Sequence, residues 1–236
     1  MKKDYKHIVI LTGAGISAES GIKTFRDSNG LWEDHAIEDV ASPIGFKRDP
    51  DLVYRFYNAR RAQVLDHEQV SPNLGHIALA KLERESKAKL TLITQNVDDL
   101  HERAGSKEVL HMHGSLMSMR CQSCQKVMKA QATFNRLSPC PKCTKAGQLR
   151  PDIVWFGEMP FHLDRAASDL SQCDLFLCIG TSGLVYPAAQ FVNLTNSQCS
   201  RIEFNLQKTQ ISGVFDKTII GPSGETLPQF VESLLK

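Results

Sequence analysis

The stretch HIVILTGAGISA, residues 7–18, decides how the chain folds. Its first five residues are nearly all apolar and largely β-branched, the composition of a strand buried on both faces, as in a parallel sheet. Directly after it come Gly13, Gly15 and Ala18, a G-x-G-x-x-A pattern opening into an expected helix. The first glycine permits a tight turn and the second lets backbone approach a pyrophosphate. The small third residue allows close packing, and the N–H groups that follow can hold an anion. Alone this pattern is a weak signal; its place after the first strand makes it a candidate nucleotide site. A dehydrogenase of the usual kind carries an acidic residue at the end of a second strand roughly 20 residues on. Here that region is SNGLWEDHAIED, residues 28–39, which has acids but no strand before them, and this argues against ordinary hydride transfer.

Working outward, further apolar runs read as strands: LTLIT (90–94), DLFLCI (174–179), RIEF (201–204) and KTII (217–220). Amphipathic stretches around 50–67, 72–85, 162–172, 186–196 and 224–235 are long enough for helices. Near-continuous apolar strands alternating with helices predict an α/β fold, a doubly wound parallel sheet of Rossmann-like type. The segments leaving these strands are TGAGIS, QNVDD, GTSG and NL. In an open α/β sheet the ligand crevice lies outside the carboxyl ends of the strands, so these turns are expected to converge on one site. Residues 114–153 show no clear strand or helix signal and read as a small module inserted between a large part formed by 1–113 and 154–236.

That module carries Cys121, Cys124, Cys140 and Cys143, a C-x2-C-x15-C-x2-C spacing. Four thiolates so placed close a tetrahedron around zinc with no open position for water, which makes the metal structural. The other three cysteines, Cys173, Cys178 and Cys199, lie in or near apolar segments and suit reduced thiols. At 236 residues, 23% charged and a net charge of +2, the chain has no basic footprint for nucleic acid or a membrane surface. No apolar run approaches the roughly 20 residues that span a bilayer. The start MKKDYKHIVI reads as a first strand and not a signal peptide, so a cytoplasmic monomer is expected.

Two short stretches carry further chemistry. HMHGS, 111–115, places two histidines before the module, and histidine titrates near neutrality as a general base does. In FYNARR, 56–61, Tyr57 and Arg60 stand three apart and share a face if the stretch is helical. A solvated helix face with spare charge is the plain alternative.

GAGISAESGIKTFR (13–26), TQNVDDLHERAG (94–105), HMHGS, the four cysteines, VWFGE (154–158), GTSGLVYPA (180–188) and FNL (204–206) occur in the order and spacing of the sirtuin family. The chain resembles a bacterial sirtuin, an NAD-dependent protein lysine deacylase, from about residue 8 to 221. Lys23 departs from the proline of many members but leaves Phe25 and Arg26 intact. The resemblance implies that Gly13, Ala14, Gly15 and Ser17 hold the NAD phosphates, and that Phe25, Arg26 and Trp32 lie on the cofactor side, the first two on a loop over the nicotinamide ribose. It implies that Gln95 and Asn96 meet the ribose, that Asp98 fixes the carboxamide, and that Gly180, Thr181, Ser182 and Asn205 line the adenosine side.

The resemblance further implies that NAD is consumed: the acyl oxygen attacks C1′ as nicotinamide leaves, giving an O-alkylamidate. His113, with Asn96 beside it, then serves catalysis as base on the ribose hydroxyls, and His111 is structural. Val154, Phe156, Gly157 and Glu158 would take the substrate backbone by strand addition. Sirtuins that remove succinyl, malonyl or glutaryl groups carry a Tyr-x-x-Arg similar to Tyr57 and Arg60, where phenol and guanidinium meet the distal carboxylate. Arg55 and Arg61 are expected to be solvated or structural. Acylated-lysine proteins are the implied partners. ADP-ribosyl transfer on the same scaffold, an acetyl-specific deacetylase, and an NAD-sensing or zinc-ribbon interaction protein stand as alternatives.

Overall fold

The computed structural model describes residues 4–23, 31–32 and 35–236. The expected loop residues Phe25 and Arg26 lie outside that set. In chain order the strands are β1 (His7–Thr12), β2 (Leu31–Trp32), β3 (His35–Ala36), β4 (Lys89–Thr94), β5 (Val109–His111), β6 (Gly114–Cys121), β7 (Val127–Lys129), β8 (Leu149–Ile153), β9 (Leu175–Ile179), β10 (Ser200–Asn205) and β11 (Lys217–Ile220). The helices are α1 (Ile37–Val40), α2 (Pro43–Arg48), α3 (Pro50–Leu65), α4 (Leu74–Glu85), α5 (Leu100–Ala104), α6 (Leu163–Gln172) and α7 (Ser223–Leu235).

Six strands form a sheet in the order β11-β10-β9-β1-β4-β5, parallel throughout. Alternate residues of β1 serve opposite faces, as the strand period of two requires. Ile8 and Ile10 pack with Leu79, Leu82, Leu227 and Val231 of α4 and α7. Val9 and Leu11 pack with Leu170 of α6 and with Phe191 and Val192 of a 3-10 turn spanning Ala188–Leu194. The strand order reverses between β1 and β9, and such a switch point opens a crevice at the carboxyl ends of the strands. Among the described residues no helix is long and apolar enough to cross a membrane.

Two expectations are corrected. The glycine motif after β1 does not open an α-helix; it makes two successive 3-10 turns, Ala14–Ile16 and Ala18–Ser20. Gly21, at φ +86°, ends the second in a left-handed conformation that an L side chain resists. Residues 114–153 are also not devoid of strands: β7, β6 and β8 form an antiparallel sheet. Its signal is faint because β6 has a broken register between Gly114 and Met119 and mixes serine, arginine and methionine. This sheet is held by burial: Met119, Leu149, Cys121 and Cys140 enclose a small core with Phe134 and Tyr54 of α3.

α3 starts where Asp49 accepts the Leu52 N–H at 2.9 Å and Pro50 occupies the first turn. Its buried residues include Val53, Tyr57, Arg61 and Val64, so the stripe facing inward contains an arginine.

Candidate active site

The glycine turn after β1 meets the turn after β9 at the switch point. Gly15 donates its N–H to the Gly180 carbonyl at 2.9 Å, and a Cβ on Gly15 would lie 2.6 Å from the Gly180 Cα. Glycine is therefore needed for two backbones to touch, a reason for the motif that its spacing alone does not show. Asn73, the N-cap of α4, ties the turn down by donating to the Ile16 carbonyl at 2.7 Å and the Ser20 hydroxyl at 2.9 Å. On the neighbouring strand Asn205 donates to the Thr181 carbonyl at 2.7 Å and accepts from the Leu206 N–H at 3.1 Å. Asn205 thus shapes the turn that carries Thr181 and Ser182.

Ser17, from the first turn, is the centre of a buried polar network. It accepts from the Asn96 amide at 3.0 Å and donates to an Asp98 carboxylate oxygen at 3.1 Å. Burial pushes the Asp98 carboxyl up to about 6, against the Leu100 N–H and Ser17 hydroxyl that favour its charged form. Below Ser17, His76 stands 3.5 Å away and edges onto His101 at a ring separation of 4.9 Å. His101 contacts the Thr12 hydroxyl at 3.0 Å, and Thr12 donates to Thr94 at 2.8 Å. Burial lowers the His76 pKa to about 4 and holds His101 well below its ordinary value, so both rings are neutral at pH 7. Thr12, His76 and His101 escaped the sequence reading; His101 lies inside the TQNVDDLHERAG stretch, and no periodicity marks its role.

The two histidines of HMHGS differ sharply. His111 has both ring nitrogens engaged, with the Asn96 carbonyl at 3.1 Å and Glu102 at 2.7 Å. Burial opposes its charge, but the Glu102 carboxylate outweighs burial and the pKa is raised. His113 uses one nitrogen: its Nδ1 faces the Gln95 carbonyl at 3.1 Å, which fixes Nδ1 as the donor and Nε2 as the basic nitrogen. Burial lowers its pKa, partly offset by that carbonyl. A neutral imidazole with a fixed tautomer is a general base at neutral pH.

Next to the network is a cleft whose lining includes Trp32, Arg60, Val97, Asp98 and Leu116. Arg60 stands with its guanidinium 5.7 Å from the Phe56 ring centroid. Tyr57 is fully buried one turn away, behind the residues that line the cleft, and its hydroxyl accepts the Trp155 indole N–H at 3.0 Å. The adjacent Arg61 turns the other way. Its guanidinium donates to the Leu116 carbonyl at 2.7 Å and to Asn58 at 3.0 Å, and lies 5.0 Å from the Phe134 ring. Burial lowers its pKa to about 10. Arg61 is thus a buried strut between α3 and the small module, while Arg55 is exposed.

In the VWFGE segment, Val154 donates its N–H to the His113 carbonyl and Phe156 to the Ala41 carbonyl, both at 2.9 Å. Phe156 is 54% exposed, and among the described residues nothing lies within 4 Å of where a Gly157 side chain would begin. Glu158 points inward, accepting two hydrogen bonds from Arg150 at 2.7 and 2.9 Å and one from the Trp155 N–H at 2.9 Å. It braces the segment from behind.

The Cys121, Cys124, Cys140 and Cys143 sulfurs all lie within 4.8 Å of one another, with two pairs at 3.7 and 3.9 Å. Tetrahedral zinc with bonds of about 2.3 Å requires sulfur separations of about 3.8 Å, so the four thiols fit the ion.

Fold and site together define a doubly wound dinucleotide-binding protein with a four-cysteine module suited to zinc and a crevice at the carboxyl ends of its strands. The chain belongs to the Sir2 family, whose model matches residues 13–187. It is 52% identical over 232 residues to a Bdellovibrio bacteriovorus protein named NAD-dependent protein deacylase, covering 98% of each chain. A Sir2 homologue solved as an NAD complex superposes with a TM-score of 0.88 at 41% identity, covering 98% of this chain and 91% of that one. A triple-mutant Sir2 homologue solved with 2′-O-acetyl ADP ribose gives a TM-score of 0.87 at 40% identity, covering 98% and 92%.

Proposed function

We propose that the chain is an NAD-dependent protein lysine deacylase that removes succinyl and related negatively charged acyl groups as well as acetyl groups, giving nicotinamide, O-acyl-ADP-ribose and free lysine. The observation that carries the reading is the cleft in which Arg60 and Asp98 face one space beside Trp32, Val97 and Leu116. A cation on the wall of a cleft next to the catalytic network suits an acyl chain ending in a carboxylate. A planar guanidinium can hold that carboxylate through two parallel hydrogen bonds, and the Tyr57 hydroxyl supplies another.

NAD, when bound, supplies an activated ribose carbon from which nicotinamide departs. The 13–17 turn and Gly180, Thr181 and Ser182, with Asn205 behind them, would hold its phosphates and adenosine; Gln95, Asn96, Asp98 and Trp32 would face its ribose and nicotinamide end. His113 would accept a proton at Nε2 from a ribose hydroxyl, since the Gln95 carbonyl keeps the proton on Nδ1 in place. Val154, Phe156 and Gly157 form the edge against which the substrate backbone lies, braced by Glu158. The four cysteines hold zinc away from the reacting atoms, in a module spanning 114–153 that is inserted into the larger part. We read the enzyme as a cytoplasmic monomer acting on acylated proteins.

The test is a mass-spectrometric assay of matched acetyl-lysine and succinyl-lysine peptides with and without NAD. NAD-dependent loss of both groups, with equimolar O-acyl-ADP-ribose, is expected. Loss of acetyl alone removes the role given to Tyr57 and Arg60, and label transferred stably from NAD to protein would favour ADP-ribosyl transfer instead.

A further inference from the structure

Two cysteines that the zinc module does not use meet at the amino end of the large sheet. Cys173 follows α6 and, through Asp174, leads into β9; Cys199 directly precedes β10. These strands are hydrogen-bonded neighbours with Ser200 opposite Leu175, and Ser200 donates its N–H to the Asp174 carbonyl at 2.9 Å. Neighbouring strands lie about 4.8 Å apart. That register sets Cys199 opposite Asp174 and so makes Cys173 its diagonal neighbour, close enough for a disulfide, which spans a Cα separation of about 4.4 to 6.8 Å.

The two sulfurs are 3.4 Å apart, and both residues are buried, Cys173 at 0% and Cys199 at 4% exposure. Closing that gap to about 2.05 Å asks for a shift shared between two side chains, with no rearrangement of the sheet. The turn before Cys199 is itself anchored: the Asn196 amide donates to the Cys173 carbonyl at 2.9 Å, and Asn196 accepts from the Gln198 N–H at 2.9 Å. The pairing is thus set by backbone geometry.

We propose that Cys173 and Cys199 form a reversible dithiol–disulfide site, closed by a two-electron oxidant of the hydroperoxide or small-molecule disulfide class. Cys199 reacts first. Asn196, Ser197 and Gln198 before it are exposed, so local opening of that turn uncovers its sulfur, whereas Cys173 sits under α6 with Leu170 and Phe176. The Cys173 thiol and then the Arg201 guanidinium also hold the Cys199 thiol below its ordinary pKa. With a hydroperoxide, the Cys199 sulfur attacks the terminal oxygen, the O–O bond breaks and an alcohol, or water, leaves. The Cys173 sulfur then displaces the remaining oxygen as water and the S–S bond forms. Two thiols are oxidised and one peroxide is reduced. With a small disulfide, Cys199 first takes up one half as a mixed disulfide, releasing a thiol, and Cys173 expels the second.

The bond would join positions 26 residues apart at the end of the sheet opposite His113 and the glycine turns. It should raise stability and leave the turnover of acylated peptide unchanged within about two-fold. The test treats zinc-loaded protein with hydrogen peroxide or with oxidised glutathione, blocks remaining thiols with N-ethylmaleimide in denaturant, and maps peptides without reduction. A Cys173–Cys199 cross-linked pair two hydrogens lighter than its parts is expected, reversed by dithiothreitol, with Cys178 carrying maleimide as the internal control. Tm should rise by roughly 5 °C in the wild type and not in Cys199→Ser. Cys173→Ala should hold Cys199 as a glutathione mixed disulfide. Recovery of both cysteines alkylated after oxidant, or of an unmodified Cys199 in Cys173→Ala, overturns the proposal.

Discussion

The two ends of the parallel sheet bury the same kinds of groups and settle them in opposite ways. At the amino end Asp169, 3% exposed, accepts from Lys89 at 2.5 Å, Arg165 at 2.7 Å and Thr91 at 3.2 Å. Burial works against its charge, but these cations outweigh burial and its pKa is lowered. At the carboxyl end Asp98, 6% exposed, receives its hydrogen bonds from the neutral Ser17 hydroxyl and Leu100 N–H, and its carboxyl is pushed up to about 6. One carboxylate is completed by the fold. The other is left electrostatically incomplete at the mouth of a cleft, which is where a ligand can repay the burial.

If the carboxyl end is the working end, changes there should alter chemistry and spare stability, with the reverse at the amino end. The largest effect is expected from His113→Ala, a loss of about 10²- to 10⁴-fold in kcat/KM on any acyl peptide with Tm and zinc content unchanged. A fall in Tm with activity would make His113 a structural residue and blur the contrast. Next comes Arg60→Met, which removes the cation from the cleft. Desuccinylation should fall on the order of 10²-fold or more, since stripping one partner from a buried charge pair typically costs about 3 kcal/mol or more, while deacetylation stays within a few-fold. Equal loss of both activities would return Arg60 to a role in folding.

Smaller and opposite in sign along the pH axis are the two carboxylates. Because the folded pKa of Asp169 is depressed, its stabilisation is present above the unfolded value near 4 and is lost as pH falls through the folded value. Asp169→Asn should therefore cost about 1–3 kcal/mol at pH 7, and urea unfolding should show the deficit shrinking in acid, with deacylation unaffected. Asp98 behaves the other way. Its folded pKa is raised from 3.8 to about 6, so its favourable contribution holds below pH 4 and is lost as pH rises through about 6. Asp98→Asn should be more stable than wild type by about 1 kcal/mol at pH 8, the hydrogen bonds it weakens offsetting part of the relief. The gain should vanish between pH 6 and 4 while activity is impaired. An Asp98→Asn protein less stable at pH 8 would mean that the carboxylate is as well completed as Asp169.

Legibility in the sequence follows the range over which each feature is decided. The strand runs at 7–11, 90–94 and 174–179 match the structure because a strand buried on both faces leaves a continuous apolar run that no long-range partner is needed to interpret, while 201–204 and 217–220 also form strands although the edge strand β11 is only partly buried. The cysteine quartet was legible because ligand spacing is a local constraint. The 3-10 turns after β1 were not, since the backbone contact with Gly180 that accompanies them comes from a strand far along the chain. The small sheet was hidden for a similar reason: it is stabilised by packing on Tyr54 and by the clustered cysteines, not by alternating β-branched residues. Arg60 and Arg61 are neighbours of the same type, and only packing shows that one lines a cleft while the other is a buried strut.

By itself the sequence determined the class of fold, the end of the sheet where the glycine-rich turns converge, the metal-binding cysteines and, through motif order, the family. Those properties reside in periodicity, spacing and the residue types that follow each strand. The tertiary structure alone decided which polar groups meet: Ser17 with Asp98, 81 residues apart, Tyr57 with Trp155, 98 apart, and Cys173 with Cys199, 26 apart. A hydrogen bond depends on distance and direction between atoms, and no local pattern encodes those for residues brought together only when the sheet closes.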